Sequence, residues 1–332
     1  MNKSDLPGDA KHAFVQQRAT SAASRTISIA MCTYNGDRFL REQSESILNQ
    51  TRLPDHLIVC DDGSTDTTRS LLEQFARKSP FPVELRFNSR NLGVTRNFEQ
   101  ALMACHSDFI ALCDQDDLWH PRKLQRLTEV LEANPQAGFA CSNAELIDHR
   151  GRTLPRTLWD VQKVNLPFLL EQSPGKRFDY LVRSNCVTGA TMMLRKEILW
   201  KYLAPIPASW IHDHWLVLLC EVLNVTGCTT TEVLTKYRLH SGQTIGLKYQ
   251  KWFPKRASVA EKKVRFQQRA QRYVDLLEHL QQRIVPEFPE AAIWINSVQC
   301  AQQKLDERIQ QAEWPWWRRE WYRHWDSHRR VA

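Results

Sequence analysis

Short apolar runs of strand length recur through the first half of the chain, at residues 26–32, 57–60, 83–87, 109–113 and 139–142. Stretches with helical spacing lie between them. Residues 38–49 carry Phe39, Gln43 and Ile47 on one face, and Leu71, Leu72 and Phe75 share a face after the second run. Residues 95–104 and 122–133 continue the pattern, with Pro121 at the expected first helical position of the latter. Strands alternating with helices at this spacing predict an α/β fold, a mostly parallel central sheet with helices on both faces. Ligands of such sheets sit beyond the carboxyl ends of the strands. Three polar turns, 33–37, 61–66 and 114–117, fall at strand carboxyl ends and so are expected on one edge.

The second half is less regular. The pattern weakens over residues 151–185, where 173–177 reads as a loop. Residues 190–194 read as a strand and 231–239 as a late one, with an apolar helix from 210 to about 223 between them. From residue 258 the character changes to long helices. Phe266, Ala270, Tyr273, Leu277, Leu280 and Ile284 recur on one face, Pro286 and Pro289 break it, and a second helix spans 290–311. Three parts are expected: a mobile lead-in (1–24), an α/β domain (25–250) and a C-terminal helical extension (251–332).

Hydrophobic residues make up 42% of the 332, enough for a sizeable core. No apolar run has transmembrane length, and residues 1–24 lack a secretory apolar segment. The nine cysteines form no Cys-x-x-Cys pair, which speaks against zinc and redox motifs and fits a reducing cytoplasm. Cys32, Cys60 and Cys113 fall in strands and read as small buried apolar residues. A net charge of +8 favours an anionic partner. With no nucleic-acid motif present, nucleotide phosphate or an acidic membrane surface is the better reading. No Gly-x-Gly-x-x-Gly follows the first strand and no Gly-Lys-Ser/Thr loop occurs, so phosphates are expected to be held by a metal.

Asp114-Gln115-Asp116-Asp117 crowds three carboxylates just before a helix. A hard divalent ion, Mg2+ or Mn2+, suits such a site, taking one or two carboxylates together with substrate phosphates. Alone, the run reads equally as a solvated acidic turn capping a helix.

Read in order, the polar turns decide between these. Thr33-Tyr34-Asn35-Gly36, Asp61-Asp62-Gly63-Ser64-Thr65-Asp66, Asn91-Leu92-Gly93 with Arg96-Asn97, the acidic run, Thr188-Gly189-Ala190, His212-Asp213-His214-Trp215 and Tyr237-Arg238-Leu239-His240 together resemble family 2 glycosyltransferases. That resemblance implies the nucleotide-diphospho-sugar transferase fold called GT-A, over roughly residues 26–248. The last two motifs look most like rhamnosyltransferase-like members that build bacterial surface polysaccharides.

The resemblance also assigns roles. Thr33, Tyr34 and Asn35 border the nucleotide, Asp62 resembles the aspartate that meets the uracil or thymine edge, and Asn91 and Arg96 lie near base and phosphates. Gly189 belongs to the sugar-nucleotide site. Asp116 and Asp117 match the metal-binding pair, Asp116 also reaching the ribose, and Asp114 belongs to an Asp-x-Asp reading of the same run. Asp213 resembles the catalytic base, and His240 a residue approaching metal or diphosphate. Of His212 and His214, one is expected to pack and one to face the sugar; Trp215 is expected in the core or as a wall against which the sugar stacks.

The implied reaction is an inverting, metal-dependent transfer from a UDP- or dTDP-sugar, dTDP-rhamnose among them, to a hydroxyl of a glycan or lipid-linked acceptor. A carboxylate must take the proton of that weak nucleophile. Two other classes compete. A sugar-phosphate nucleotidyltransferase would open on a Gly-rich basic loop, whereas here the first turn is Cys-Thr-Tyr-Asn-Gly-Asp. A non-catalytic carbohydrate-binding relative need not keep the acidic run and Asp213. At the C-terminus Trp314, Trp317, Trp321 and Trp325 step by three and four beside several arginines. Such a stripe reads either as a peripheral contact with the cytoplasmic face of the inner membrane or as packing on protein.

Overall fold

The computed structural model describes residues 25–163, 165–243 and 259–313. The lead-in 1–24, the domain boundary near 250 and the tryptophan stripe at 314–325 lie outside the described residues.

Three strand–helix units and a fourth strand open the described chain: β1 Ile27–Thr33, α1 Asp37–Leu48, β2 His56–Asp61, α2 Thr68–Lys78, β3 Val83–Phe87, α3 Val94–Ala104 and β4 Phe109–Asp114. There follow β5 Leu118–Trp119, α4 Lys123–Ala133, β6 Ala137–Asp148, β7 Thr153–Thr157 and three short helices, α5 Leu158–Gln162, α6 Leu166–Leu170 and α7 Pro174–Leu181. Then come β8 Met192–Arg195, α8 Lys196–Leu203, α9 His212–Val222 and β9 Thr226–Leu239. The helical end is α10 Val259–His279, carried on by a π-helical turn over Leu280–Ile284, and α11 Ala292–Glu313.

The strands form one nine-stranded sheet ordered β3-β2-β1-β4-β8-β6-β9-β5, with β7 on β6. β3, β2, β1 and β4 run parallel, as do β6 and β9; β8 pairs antiparallel with both β4 and β6. The register sets Thr33 beside Asp61 and Cys32 beside Asp114, so the first, second and acidic turns share one sheet edge. Side chains alternate between two cores. Ala30, Cys32, Ile58, Cys60, Ile110 and Leu112 pack with α3 and α9 on one face. Ile29, Met31, Leu57, Val59, Ala111 and Cys113 pack with α1, α2 and α4 on the other. Burial on both faces explains why these strands read as continuous apolar runs.

Several local expectations are corrected. β5 has two residues, too few for any periodicity, and exists because it pairs with β9. β6 runs well past residue 142, its polar Asn143 and Glu145 masking the strand. Residues 173–177, read as a loop, open α7: Pro174 takes a first-turn position and Arg177 and Phe178 are buried. Conversely, Pro121 precedes helix α4, which begins at Lys123.

The C-terminal helices share the larger core with the α/β part. Tyr273, Leu276, Leu280, Ile284, Trp294 and Val298 are buried in it. Trp294 stacks on Phe178 with centroids 4.4 Å apart, and His279 meets Trp215 edge-on at 4.7 Å. Trp210 Nε1 donates to the Arg272 carbonyl at 3.1 Å, and Ser209 bonds Asp275. These contacts brace the segment that leads into α9.

Candidate active site

The β1 turn is held by its neighbours on the sheet edge. Thr33 Oγ1 donates to Asp61 Oδ1 at 2.8 Å. The Gln115 amide clasps the backbone of Tyr34, accepting from its N–H at 2.8 Å and donating to its carbonyl at 3.0 Å. A Cβ at Gly36 would lie 2.1 Å from Gln115, so only glycine admits this clasp. Asn35, at φ 46°, accepts from Thr65 N–H at 2.8 Å and so ties the first turn to the second. The Tyr34 side chain is 41% exposed at this rim.

The two aspartates of the second turn have separate tasks. Asp61 accepts from Ser64 N–H at 2.9 Å and closes its own turn. Asp62 is buried and accepts from Asn88 Nδ2, Leu92 N–H and Gly93 N–H at 2.8–2.9 Å, shaping the loop that carries Asn91. Asn91 is exposed, and its Oδ1 accepts from Gly93 N–H; Arg96 pairs with Glu99 at 2.8 Å.

The acidic run divides in the same way. Asp116 Oδ2 lies 2.7 Å from His240 Nε2. The other ring nitrogen of His240 accepts from Gly242 N–H at 3.2 Å, so Nε2 carries the proton and donates to Asp116. Asp114 has its pKa pushed up to about 7, by burial first and then by the charges of Asp116 and Asp213. Asp117 departs from its expected place beside Asp116. It is 1% exposed and turns into the sheet, where Oδ1 accepts from Arg238 N–H at 2.9 Å. Its Oδ2 has no partner, and burial raises its pKa well above the carboxylate range. Asp117 is thereby an anchor for β9 rather than a second outward carboxylate.

Two cations that the sequence pattern did not single out support the run. Arg238 is buried; its Nε donates to the Asp116 carbonyl at 2.7 Å and its Nη2 to Glu42 at 2.6 Å, with Phe39 beneath at 4.6 Å. Its only sequence signal was membership of the Tyr-Arg-Leu-His motif. Lys123 is fully buried, donates to the Ala190 carbonyl at 2.5 Å and lies 3.8 Å from the Trp119 ring. Burial pulls its pKa down to about 7, against the raising effect of Cys113, Asp117 and Asp114. On helical spacing alone it looks like any surface lysine.

Asp213 stands in the first turn of α9. Its Oδ1 accepts from Asn185 Nδ2 at 3.0 Å and His214 N–H at 2.6 Å, and its Oδ2 from Gly189 N–H at 3.0 Å. Glycine eases the close approach, because a Cβ at 189 would lie 3.1 Å from His212 Nε2 and 3.4 Å from Asp213 Cβ. His212 and His214 both pack, which corrects the expectation that one faces the sugar. His214 Nε2 lies 2.5 Å from the Leu181 carbonyl, and burial brings its pKa down to about 4. His212 stacks on Phe98 at 3.8 Å, both ring nitrogens unpartnered. Trp215 is fully buried, as expected.

The donor set fits a hard divalent ion. Among the described residues no three His, Cys, Asp or Glu side chains converge into a cage. Asp116 would supply one carboxylate and His240, in the tautomer that frees Nε2 of its proton, one imidazole, leaving further positions to phosphate oxygens or water. The charges of Asp116 and Asp213, which add to burial in raising Asp114, are what such an ion would relieve.

The family described as "Glycosyl transferase family 2" matches residues 28–203. An uncharacterized glycosyltransferase of Nostoc is 27% identical over 217 residues, 64% of this chain and 65% of that protein. The Escherichia coli UDP-Glc:alpha-D-GlcNAc-diphosphoundecaprenol beta-1,3-glucosyltransferase is 27% identical over 64% of this chain and 77% of its own. Among solved structures, a Pyrobaculum calidifontis mannosyltransferase in complex with GDP-Man and Mn2+ superposes with a TM-score of 0.51 at 17% identity, covering 84% of this chain and 74% of that one.

Proposed function

The chain belongs to glycosyl transferase family 2 and has the GT-A fold, and we propose that it is an inverting, metal-dependent glycosyltransferase acting on a nucleotide-diphospho-sugar. The observation that carries this reading is the pairing of Asp116 with His240, 2.7 Å apart in the acidic turn at the strand ends, together with a second carboxylate, Asp213, held in place by three hydrogen-bond donors.

Asp116 and His240 hold Mg2+ or Mn2+ in this proposal. The bound ion neutralises charge growing on the leaving diphosphate. Thr33, Tyr34, Asn35, Asn91 and Arg96 border the nucleotide, and Asp62 holds the loop against it. The Asp213 carboxylate is oriented by Asn185, His214 and Gly189. It takes the acceptor hydroxyl proton as the oxygen attacks the anomeric carbon and the bond to diphosphate breaks. One displacement inverts the centre.

For the donor we propose a UDP- or dTDP-sugar, with dTDP-rhamnose favoured by the His-Asp-His-Trp and Tyr-Arg-Leu-His motifs. For the acceptor we propose a glycan or lipid-linked hydroxyl in bacterial surface polysaccharide assembly, in line with the lipid-linked acceptor named for the E. coli relative. A peripheral place on the cytoplasmic face of the membrane fits the net charge of +8. No helix among the described residues is long and apolar enough to cross a membrane.

The test is a panel of UDP-, dTDP- and GDP-sugars with Mn2+ or chelator, scored by nucleoside diphosphate release. Metal-dependent release from one donor class is expected. Diphosphate release from a nucleoside triphosphate plus sugar phosphate would instead establish nucleotidyl transfer.

A further inference from the structure

Asp213 Oδ2 depends on one donor, Gly189 N–H, 3.0 Å away. That donor is carried by a single buried 3-10 turn, Gly189–Thr191, which leads into β8. Glycine has wide backbone freedom, so the direction of its N–H is set by whatever fixes the neighbouring peptide planes. Thr191 closes the turn on itself, its N–H and Oγ1 donating to the Thr188 carbonyl at 3.0 and 2.8 Å. Gln162 Nε2 reaches the Thr188 side chain at 2.9 Å.

The Ala190 carbonyl ties the turn to more distant parts of the chain. Lys123 Nζ donates to it at 2.5 Å and Thr235 Oγ1 at 3.3 Å. Both side chains are fully buried, and the Lys123 amine lies 3.8 Å over the Trp119 ring. Lys123 opens α4, just beyond the acidic run, and Thr235 lies on β9, paired with Trp119 of β5. A lysine is almost never fully buried unless it is paired. Among the described residues, Lys123 has no ion pair within 4 Å, and its hydrogen bond goes to this carbonyl. A costly buried donor is therefore spent on the residue next to the one that holds the base. The path runs from Lys123 Nζ to the Ala190 carbonyl, through one residue of backbone to Gly189 N–H, and on to Asp213 Oδ2.

We propose that Lys123 is a positioning residue for the base. It pins the 189–191 turn through the Ala190 carbonyl, so that Gly189 N–H stays on Asp213 and the carboxylate keeps its aim at the acceptor hydroxyl. Because Lys123 heads the helix after the acidic run, the same bond fixes the base relative to the metal end of the site. This inference rests on Asp213 being the base.

The test is Lys123→Met, which keeps an apolar stem over Trp119 and removes the donor. Losing a desolvated ammonium offsets part of the lost bond, so the variant should fold. Turnover is read as nucleoside diphosphate release from whichever of the UDP-, dTDP- and GDP-sugars the full chain uses. A fall in kcat of about tenfold or more is expected, because small displacements of a reacting group slow the chemistry steeply. Donor KM and the Mn2+ needed for half-maximal activation should change less than about twofold, since the loss falls on the transition state. In an Asp213→Asn background Lys123→Met should slow turnover no further, as expected of a residue that acts through the base. An equal fall in both backgrounds overturns the proposal. So does a raised Mn2+ requirement with unchanged kcat, which would make Lys123 a support of the acidic run instead. If Lys123→Met misfolds by circular dichroism, Thr235→Val decides, since it removes the second donor and keeps the shape. A several-fold loss of kcat that vanishes in the Asp213→Asn background supports the proposal, and wild-type kcat overturns it. Slow Asp213→Asn beside wild-type kcat in folded Lys123→Met overturns this inference alone. Normal turnover by Asp213→Asn overturns the base assignment and this inference with it.

Discussion

Replacing Asp213 by Asn separates catalysis from scaffolding, since all the hydrogen-bond partners of this carboxylate are donors. Oδ1 receives Asn185 Nδ2 and His214 N–H, and Oδ2 receives Gly189 N–H. An asparagine offers one accepting atom and one donating atom. Keeping its oxygen toward Asn185 and His214 sets its NH2 against the Gly189 N–H, 3.0 Å away in the parent. The flipped amide opposes two donors instead. Leaving one buried donor unsatisfied costs about 1–3 kcal/mol. Losing a general base costs about 10²–10⁴-fold in rate. The variant should therefore unfold at lower denaturant and turn over far more slowly, with little change in donor affinity. Turnover at saturating donor, measured where circular dichroism shows the variant folded, keeps the two effects apart. Near-normal turnover in folded Asp213→Asn would falsify the base assignment. Unchanged stability would show that the three donors do not hold this carboxylate.

Three further outcomes are expected. Arg238→Met removes the bond to the Asp116 carbonyl, costing about 1–3 kcal/mol, and loosens Asp116, so that half-maximal activation needs several-fold more Mn2+; unchanged Mn2+ activation would separate Arg238 from the metal site. Trp294→Ala removes the stack on Phe178 at a cost of about 3–5 kcal/mol, and urea unfolding should remain one transition because the C-terminal helices share the α/β core; two transitions would make the extension a separate unit. Burial also holds the His279 pKa down to about 4, against about 6.5 when unfolded, so between these values the unfolded chain binds the extra proton and stability is lost as pH falls. Asp114, with its raised pKa, carries the opposite sign. The readout is therefore the difference from His279→Phe, which should gain about 2 kcal/mol on wild type between pH 7.5 and 5; a constant difference contradicts it.

The strand–helix alternation was legible because strands buried on both faces are apolar at every position and their helices amphipathic, and both are local properties. The elements that escaped were those without local pattern. β5 is made by its pairing with β9, and α7 by the burial of Arg177 and Phe178. Arg177 pairs with Glu221 on α9, a partner that no reading of the local sequence supplies.

At the site, the sequence alone determined which chemical groups occupy the strand ends, because turns after parallel strands must meet on one edge. It contained the acidic run, the two aspartates of the second turn, and Asp213 between its histidines. Only the tertiary structure decided what each carboxylate does. Asp62 and Asp117 are identical in chemistry to Asp116, yet the first is saturated by loop donors and the second turned inward to Arg238. Only Asp116 faces His240. Burial and hydrogen-bond partners are set by segments far away in the chain, and these, not residue type, decide whether a carboxylate anchors the fold or remains free for chemistry.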